Sequence, residues 1–482
     1  MLTVLRAHQP YTWHPRAVHH YDLVIIGAGS GNSIIGPEHD DWRVAIIERS
    51  AFGGTCMNRG CIPSKMFVYT ADLAEHARDN ARYGIHTEFI GADWQAIVRR
   101  VFGRIDPIAD AGRDYRIGLP NVDVYEHSAH FVGPRELQVG GERITGDQIV
   151  IAAGARSFIP DVPGIEDVPF HTSDTIMRIA RLPEHLIVLG GGFIANELGH
   201  VFRSFGAEVT IVNRGHQLLR AEDHDISARY TELAAQRFDL ALGSSVERVY
   251  RTPHGVGLRL TCEAGPRTIE GDVLLVAAGR MANSDQLAVD ATGVDVDGMG
   301  FVEVDRYGRT SAPGIWALGD INGRHQLKHM ANGEAKVIRH NLSHPDDLHM
   351  YDDRPAPHAV FGSPQVGAIG LTERQAQASG EPFCVVSHDY GGAAYGWAME
   401  DTSGFCKLIG DPRTRTVVGA HVIGYQASVL VQLLVQGIHL GTTVDEMALG
   451  QVWIHPALSE VVEQALLKLM DTFDQANGPP RG

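Results

Sequence analysis

The sequence predicts an α/β fold that contains two similar strand–turn–helix units and ends in a smaller α+β region. Two segments, YDLVIIGAGSGN at 21–32 and EHLIVLGGGFIANE at 184–197, place glycines directly after an apolar, β-branched run. This order is typical of a buried strand entering a tight turn, as in Rossmann-like dinucleotide-binding domains. From about residue 358 the chain alternates strand-like and helical patterns, and it ends in a helix near 458–470.

Length and composition limit the class of protein. A chain of 482 residues with 44% apolar residues is long enough for two to four domains. The net charge of -17 argues against nonspecific binding to nucleic acid or anionic membranes. No apolar run approaches a membrane span, and residues 1–20 lack a signal peptide's apolar core, so we expect a poorly ordered extension there. Five cysteines, an odd number, favour a reducing cytoplasm and one functional pair over a disulfide scaffold.

The first glycine-rich turn contains Gly27 and Gly29. The first of these would allow the tight turn, and the second would let the backbone approach a pyrophosphate. Glu48 ends the next apolar strand, at the spacing of a carboxylate that accepts hydrogen bonds from ribose hydroxyls. The usual third glycine is replaced by Asn32, and Gly36–Pro37 interrupts the helix that should follow, so this helix must be short.

The second turn contains Gly190, Gly192 and Ala195, and the strand after it ends in basic rather than acidic residues. A carboxylate at that position would bind the free 2′-hydroxyl of NADH. Arg214 and Arg220 instead favour the 2′-phosphate of NADPH.

Three further apolar runs end in glycine-containing turns, at 149–156, 273–280 and 310–320. A Gly-Asp pair after such a strand can place its carboxylate near a sugar or ribityl hydroxyl. The candidate cofactor contacts in these turns are Gly154, Gly279, Arg280 and Asp320.

The segment GGTCMNRGCIPSK, at 53–65, carries two cysteines separated by four residues, Cys56 and Cys61. This spacing can bring two sulfurs together near a helix start, where the helix dipole favours a thiolate. The glycines around them, with Gly54 followed by Thr55, permit close backbone approach to a flat ring. A metal site would need two further ligands nearby, so we expect none here. The other cysteines sit singly in strand-like stretches and are expected to be structural: Cys262, Cys384 and Cys406.

Near the C-terminus stands HPALSE, with His455 and Glu460. A histidine titrates near neutrality and can move a proton to a leaving thiolate, and a carboxylate can fix its tautomer.

Taken in this order, the motifs resemble the class I pyridine nucleotide-disulfide oxidoreductases over about residues 21–470. The resemblance implies a homodimer that binds FAD and NADPH. It implies an FAD-binding domain at 21–161, an NADPH-binding domain at 162–284, a central domain at 285–354 and a dimer-interface domain at 355–470. The expected extension at 1–20 and a flexible tail at 471–482, which is polar in composition, flank these domains.

The resemblance also implies residue roles. Cys56 would attack the substrate disulfide while Cys61 faces the flavin. Lys65 and Glu197 would lie near the flavin N5, and His455 would act across the dimer, oriented by Glu460. The implied FAD contacts are Gly27, Gly29, Glu48, Gly54, Thr55, Gly154 and Asp320. The implied NADPH contacts are Gly190, Gly192, Ala195, Arg214, Arg220, Gly279 and Arg280.

Within the family, six stretches most resemble the mycothione reductases: 29–35, 66–69, 101–109, 170–180, 394–404 and 453–458. The segment after Gly31 lacks the arginines that glutathione reductases use for substrate carboxylates, which is compatible with a sugar-bearing disulfide such as mycothione. The alternatives are a glutathione reductase-like enzyme and an NAD-linked dihydrolipoamide dehydrogenase, which the two arginines disfavour. Mercuric reductase lacks support because no cysteine pair lies near the C-terminus, and the retained cysteines and His455 argue against a non-catalytic flavoprotein.

Overall fold

The protein is described from a computed structural model that covers residues 18–263 and 265–477. It divides into two compact units, each built from several chain segments. Among the described residues, the first comprises 18–54, 111–154 and 282–351, and the second comprises 55–110, 155–263, 265–281 and 352–477. The predicted domain limits at residues 161, 284 and 354 stay predictions.

The predictions for the two terminal segments are wrong in the residues that the structure describes, at His19–His20 and at 471–477. Residues 1–17 and 478–482 lie outside the described residues. His19 and His20 are not part of an extension, because they pair with Ile144 and Thr145 at the start of the first strand. The C-terminal helix continues to Asn477 and therefore includes much of the predicted tail.

The first unit contains a seven-stranded sheet. His19–Ile26 lies at its centre between two parallel neighbours, Val44–Ile47 and Glu142–Ile151. The remaining strands are Val122–Tyr125, Ala129–Gly133, Glu136–Val139 and Ile315–Ala317. Alternate residues of the central strand enter different cores, which explains its continuous apolar sequence: a parallel sheet covered on both faces buries every residue.

The helices of the first unit are Ser284–Leu287 and Lys328–Ser343. After the first glycine-rich turn the chain forms only two 3-10 turns, Gly31–Ser33 and Pro37–His39, with Gly36 between them in extended conformation. The prediction of a short helix at this point is confirmed, and its shortness follows from the proline.

The second unit contains a second parallel sheet, in the order Asp239–Ala241, Glu208–Val212, His185–Leu189 and Val273–Val276. An antiparallel sheet follows it, made of Ser245–Arg251, Val256–Cys262 and Gly265–Gly271. Two short strands are Ala155–Ser157 and Arg280–Ala282. The associated helices are Gly54–Arg59, Cys61–Asp79, Trp94–Ile117, Phe193–Ser204 and His224–Ala234, of which the first and third cross a unit boundary.

The C-terminal part of the second unit is an α+β region, as predicted. Its antiparallel sheet has the order His358–Val360, Gln365–Gly370, Thr416–Gly424, Phe405–Asp411 and Cys384–Asp389. Its helices are Glu373–Ser379, Ala394–Ala398, Ala427–Leu440, Val444–Leu449 and Glu460–Asn477. The last helix extends past residue 470 because Phe473 is fully buried in the core and Asp474 pairs with Arg415 at 2.8 Å.

Across the part of the chain that is described, no helix combines the length and the apolar character needed to cross a membrane.

Candidate functional site

Cys56 and Cys61 lie on either side of a break between two helices. Cys56 is inside Gly54–Arg59, and Cys61 is the first residue of the helix Cys61–Asp79. Gly60 makes the break possible, since a Cβ there would lie 2.9 Å from the carbonyl oxygen of Thr55. Both side chains are thiols in this structure, and a hydrogen bond joins them.

The Cys61 thiol is poised to ionise near neutral pH. A hydrogen bond with Cys56 is the main cause that lowers the pKa of Cys61 to about 7, and the positive charge of Lys65 adds to this effect, while desolvation opposes it. Cys61 also stands at the N-terminus of a long helix, where the dipole favours an anion. The pair can therefore supply a thiolate nucleophile at physiological pH.

An ion pair lies one helical turn from Cys61. The Lys65 Nζ donates to Glu197 Oε2 at 2.6 Å, and the Glu197 side chain is 5% exposed. The other carboxylate oxygen accepts from the backbone N–H of Phe361 at 3.0 Å, and the ammonium lies 4.5 Å from the Phe361 ring centre. This arrangement brings together a thiol, a cation and a buried carboxylate that are far apart in the sequence.

A cavity of about 570 Å³ opens beside the Cys61 thiol. Its lining is mainly apolar and comprises Cys61, Ile62, Lys65, Met66, Tyr69, Arg100 and Phe361. A mainly apolar cavity with a thiol and an ammonium in its wall is a candidate ligand site.

The first glycine-rich turn has the geometry of a nucleotide cradle. Gly27 has φ +108°, and a Cβ there would lie 2.3 Å from the carbonyl oxygen of Ala152. A Cβ at Gly54 would lie 2.7 Å from the Cα of Gly29. The Glu48 carboxylate accepts hydrogen bonds from the backbone N–H groups of Ala28 and Ser50, each at 2.9 Å, which holds it at the end of its strand. Only glycine permits these close approaches, as the FAD prediction requires.

Asn32, which replaces the usual third glycine, has a structural role. Its side-chain and backbone oxygens accept from Arg116 at 2.7 and 2.6 Å, and Arg116 is 8% exposed. Beside it, Lys328 donates to Ser30 at 2.9 Å. Sequence reasoning noted the departure at Asn32 but missed the arginine, which lies far away along the chain.

The second glycine-rich turn repeats this geometry. Gly190 has φ +131°, and a Cβ there would lie 2.2 Å from the carbonyl oxygen of Ala277. Gly192 immediately precedes the helix Phe193–Ser204, in which Ala195 is fully buried. The turn thus presents the N-terminus of a twelve-residue helix, which is suited to a pyrophosphate.

The loop with the two predicted phosphate ligands folds back on this turn. The backbone N–H of Leu219 donates to Gly191 O at 2.8 Å, and the Asn213 side chain would contact a Cβ at Gly191. Arg214 and Arg220 are both exposed. Within residues 18–263 and 265–477, no carboxylate forms an ion pair with either arginine, so both guanidinium groups are available to an anion.

Of the remaining predicted cofactor contacts, Gly154 and Gly279 lie in loops and Arg280 begins the strand Arg280–Ala282. Gly154 and Gly279 have φ +66° and +138°. Arg280 donates to the carbonyl of Ala155 at 2.6 Å, so this guanidinium also anchors the backbone.

Asp320 lies in a 3-10 turn, Gly319–Asn322, that is held by a buried carboxylate. Glu334 accepts from the backbone N–H of Gly319 at 2.7 Å and from the Asn322 side chain at 3.0 Å. Burial raises the pKa of Glu334. Sequence reasoning missed this residue. A signal was available, because it is a carboxylate on the buried face of an amphipathic helix.

His455 pairs with Glu460 as predicted. The distance from His455 Nδ1 to Glu460 Oε1 is 2.7 Å, and this hydrogen bond is the main cause that lowers the pKa of Glu460. The other carboxylate oxygen accepts from the backbone N–H of Ala457 at 3.1 Å. The His455 side chain is 72% exposed. The pair therefore presents an oriented, solvent-facing imidazole.

The three other cysteines lie in strands, as predicted: Cys262, Cys384 and Cys406. Burial raises the pKa of Cys406 to about 12 and also raises that of Cys384. Neither thiol is poised to ionise.

Comparison with protein families identifies the chain. A model described as pyridine nucleotide-disulphide oxidoreductase matches residues 21–335, and a model of that family's dimerisation domain matches 356–466. The chain belongs to the pyridine nucleotide-disulphide oxidoreductase family. The predicted fold class, with two nucleotide-binding regions and a C-terminal dimerisation domain, is confirmed. The protein is an FAD-dependent disulfide reductase that uses a nicotinamide dinucleotide.

Individual relatives are similar over nearly the whole chain. Mycothione reductase of Mycobacterium tuberculosis is 49% identical, covering 93% of this chain and 99% of its own. Dihydrolipoyl dehydrogenase of Chlamydia muridarum is 30% identical, covering 94% and 97%. Among solved structures, the HOCl-induced flavoprotein disulfide reductase RclA of Escherichia coli superimposes with a TM-score of 0.80 at 30% identity, covering 93% and 99%.

Proposed function

We propose that this oxidoreductase uses NADPH to reduce mycothione, the disulfide of mycothiol, to two molecules of mycothiol in the cytoplasm. The observation that carries the disulfide chemistry is the Cys56–Cys61 pair, with the pKa of Cys61 lowered to about 7. Support for the substrate comes from the 49% identity with mycothione reductase over almost the entire chain.

In the proposed reaction the two cysteines exchange with the substrate in two steps. The Cys56 thiolate attacks one substrate sulfur, forms a mixed disulfide and expels the first thiol. The Cys61 thiolate then attacks the Cys56 sulfur, expels the second thiol and closes a Cys56–Cys61 disulfide. Both expelled thiolates take up protons, so one disulfide becomes two thiols and the cysteine pair is oxidised. When FAD and NADPH are bound, they would supply the electron pair that reduces the Cys56–Cys61 disulfide again.

Lys65 and Glu197 serve the flavin side of this proposal. The ammonium is held at 2.6 Å from a buried carboxylate, one turn from Cys61, and its charge favours the Cys61 thiolate. The fit to FAD is supported by the cradle at Gly27 and Gly54, where a Cβ would clash with the backbone of Ala152 and of Gly29. Glu48, Thr55, Gly154 and Asp320 complete the proposed FAD contacts.

Selectivity for NADPH is assigned to Arg214 and Arg220. Both are exposed beside the Gly190–Gly192 turn, and a guanidinium makes charge-assisted hydrogen bonds to a phosphate. Gly190, Gly192 and Ala195 would seat the pyrophosphate, with Gly279 and Arg280 in the adjoining turn.

We further propose a homodimer that shares its active sites. His455 of the partner subunit would take the proton from Cys56 and return it to the departing thiolate, while the partner's Glu460 orients the ring. The exposure of this imidazole in a single chain supports a role toward a second chain. Mixed dimers of Cys56→Ser and His455→Ala chains should then regain activity, because one of their two sites has both groups.

The deciding experiment is a disulfide panel with purified, FAD-loaded protein: mycothione, glutathione disulfide and lipoamide, each with NADPH and with NADH. We expect the highest kcat/KM for mycothione with NADPH and loss of turnover in Cys56→Ser. A preference for lipoamide with a nicotinamide lacking the 2′-phosphate would assign a dihydrolipoamide dehydrogenase. A preference for glutathione disulfide would assign a glutathione reductase-like enzyme. Activity that survives Cys56→Ser would contradict the cysteine roles.

A further inference from the structure

A group of two imidazoles and one carboxylate lies in the first unit, apart from every residue assigned above. It consists of His340, at the end of the helix Lys328–Ser343, and Asp347 and His349 in the loop that follows. One ligand atom of each residue lies within 4.8 Å of those of the other two. We call these three residues the His340 cluster. His340 is half-buried, while the other two are exposed.

The backbone around the cluster is held in place from inside the unit. Asn341, which is 1% exposed, donates to the carbonyl oxygens of Tyr307 and His349 at 3.0 and 2.9 Å, and accepts from the backbone N–H of His349 at 2.7 Å. The loop therefore returns to the helix at a fixed point. Because the loop backbone is already anchored, a ligand that binds both imidazoles does not have to order the loop first.

The side chains already stand close to one another. The His340 and His349 rings are stacked, with centres 3.5 Å apart and planes 10° apart. The His344 ring also stacks with His340, with the two ring centres 4.3 Å apart. His340 Nε2 lies 2.8 Å from the backbone oxygen of Asp347 and 3.8 Å from its carboxylate. Because a carbonyl oxygen only accepts, this nitrogen carries the proton of the hydrogen bond, and a metal bound here would take the place of that proton.

The electrostatic setting favours a cation. The cluster sits at the C-terminal end of a sixteen-residue helix, where the dipole is negative. Asp346 and Asp347 follow within the same loop. Two imidazoles with one carboxylate form a ligand set that suits Zn²⁺ and other borderline divalent metals, rather than Ca²⁺ or Mg²⁺, which prefer oxygen alone.

We propose that the His340 cluster binds Zn²⁺ through two imidazole nitrogens and the Asp347 carboxylate. Bonds of about 2.0–2.2 Å in a tetrahedral site require ligand atoms roughly 3.5 Å apart. The exposed side chains of Asp347 and His349 can close this gap by rotation while the anchored backbone stays in place. Bound zinc would tie the loop to the helix that carries Glu334, the residue that holds the Asp320 turn.

The test uses the full-length, FAD-loaded protein carrying Cys56→Ser and Cys61→Ser, so that the paired thiols do not compete for metal. After chelator treatment it is titrated with Zn²⁺ by calorimetry, and bound zinc is counted after desalting. We expect one Zn²⁺ per chain at this site. His349→Asn and, separately, His340→Asn should each weaken its binding at least about tenfold, since loss of even a supporting residue costs about that much.

The matched control is His130→Asn, which removes an exposed imidazole from a strand of the same unit. It should bind zinc like its parent. Circular dichroism and flavin content should be unchanged in all variants. The proposal fails if the parent protein binds no zinc, or if both cluster variants bind it as tightly as the control does.

Discussion

The low pKa of Cys61 leads to a quantitative prediction that does not depend on a bound cofactor. Its main cause is the hydrogen bond with Cys56, so removing that donor should raise it. A hydrogen bond to a charged group contributes about 1.5–3 kcal/mol, which corresponds to roughly 1–2 pKa units. In reduced Cys56→Ala protein the pKa of Cys61 should therefore rise from about 7 to roughly 8–9. At pH 7 its thiolate fraction would fall about 5- to 50-fold.

The assay is the pH dependence of iodoacetamide alkylation, followed by mass spectrometry of the peptide that contains Cys61. Only the thiolate reacts, so the rate reports the ionised fraction. Cys56→Ser is the matched control, because a serine hydroxyl can still donate to the thiolate and should keep the midpoint near 7. Cys384, whose pKa is raised by burial, serves as a slow internal reference. A Cys61 midpoint that is the same in Cys56→Ala and Cys56→Ser would refute the reasoning and leave Lys65 or the helix terminus as the cause.

Three further predictions concern other parts of the molecule. Arg214→Ala should weaken NADPH binding about tenfold to a hundredfold, because a charge-assisted hydrogen bond contributes roughly 1.5–3 kcal/mol. An equal loss of affinity for NADH in a binding titration would contradict the 2′-phosphate assignment. His455→Ala should slow disulfide turnover roughly a hundred- to ten-thousandfold while flavin reduction by NADPH, measured by stopped flow, stays nearly unchanged, and Glu460→Gln should cost less. A slowed flavin reduction would point instead to a structural role for the histidine. Phe473→Ala should lower the free energy of unfolding by about 3–5 kcal/mol in denaturant titrations, because the ring is fully buried. The control is Gln475→Ala, at an exposed position of the same helix. If Phe473→Ala loses no more stability than this control, the last turns of the helix contribute little.

The strands that lead into glycine-rich turns could be predicted because their signals are local. An apolar, β-branched run followed by glycine is visible within a dozen residues, and the strands His19–Ile26 and His185–Leu189 both carry it. The Cys56–Cys61 spacing is equally local. The extent of the last helix was predicted wrongly because residues 471–477 are polar in composition, and the burial of Phe473 depends on a core assembled from distant segments.

The missed residues share a different property, which is that their partners are remote in sequence. Arg116 is 84 positions from Asn32, and no sequence motif near either residue indicates that they form a hydrogen bond. Glu334 could be placed on a helix but not beneath the Asp320 turn. The three residues of the His340 cluster are brought together by a loop whose path is set by the buried Asn341, so no short motif marks them. Local sequence patterns predict backbone conformation well, whereas polar contacts between distant segments can be identified only once the three-dimensional fold is known.

The same distinction applies to the chemistry of the thiol pair. Spacing alone places two sulfurs together at a helix start, and a dipole there already favours ionisation. The charge that adds to this effect comes from Lys65, and the ammonium is held by Glu197, which lies 132 positions away and is itself fixed by the backbone N–H of Phe361. Without the buried carboxylate, a lysine side chain that is 34% exposed would be free to turn toward water. The low pKa of Cys61 is therefore set mainly by Cys56. Lys65 lowers it further, and Glu197 has two opposite effects, because it holds the ammonium in place while its own negative charge raises the Cys61 pKa.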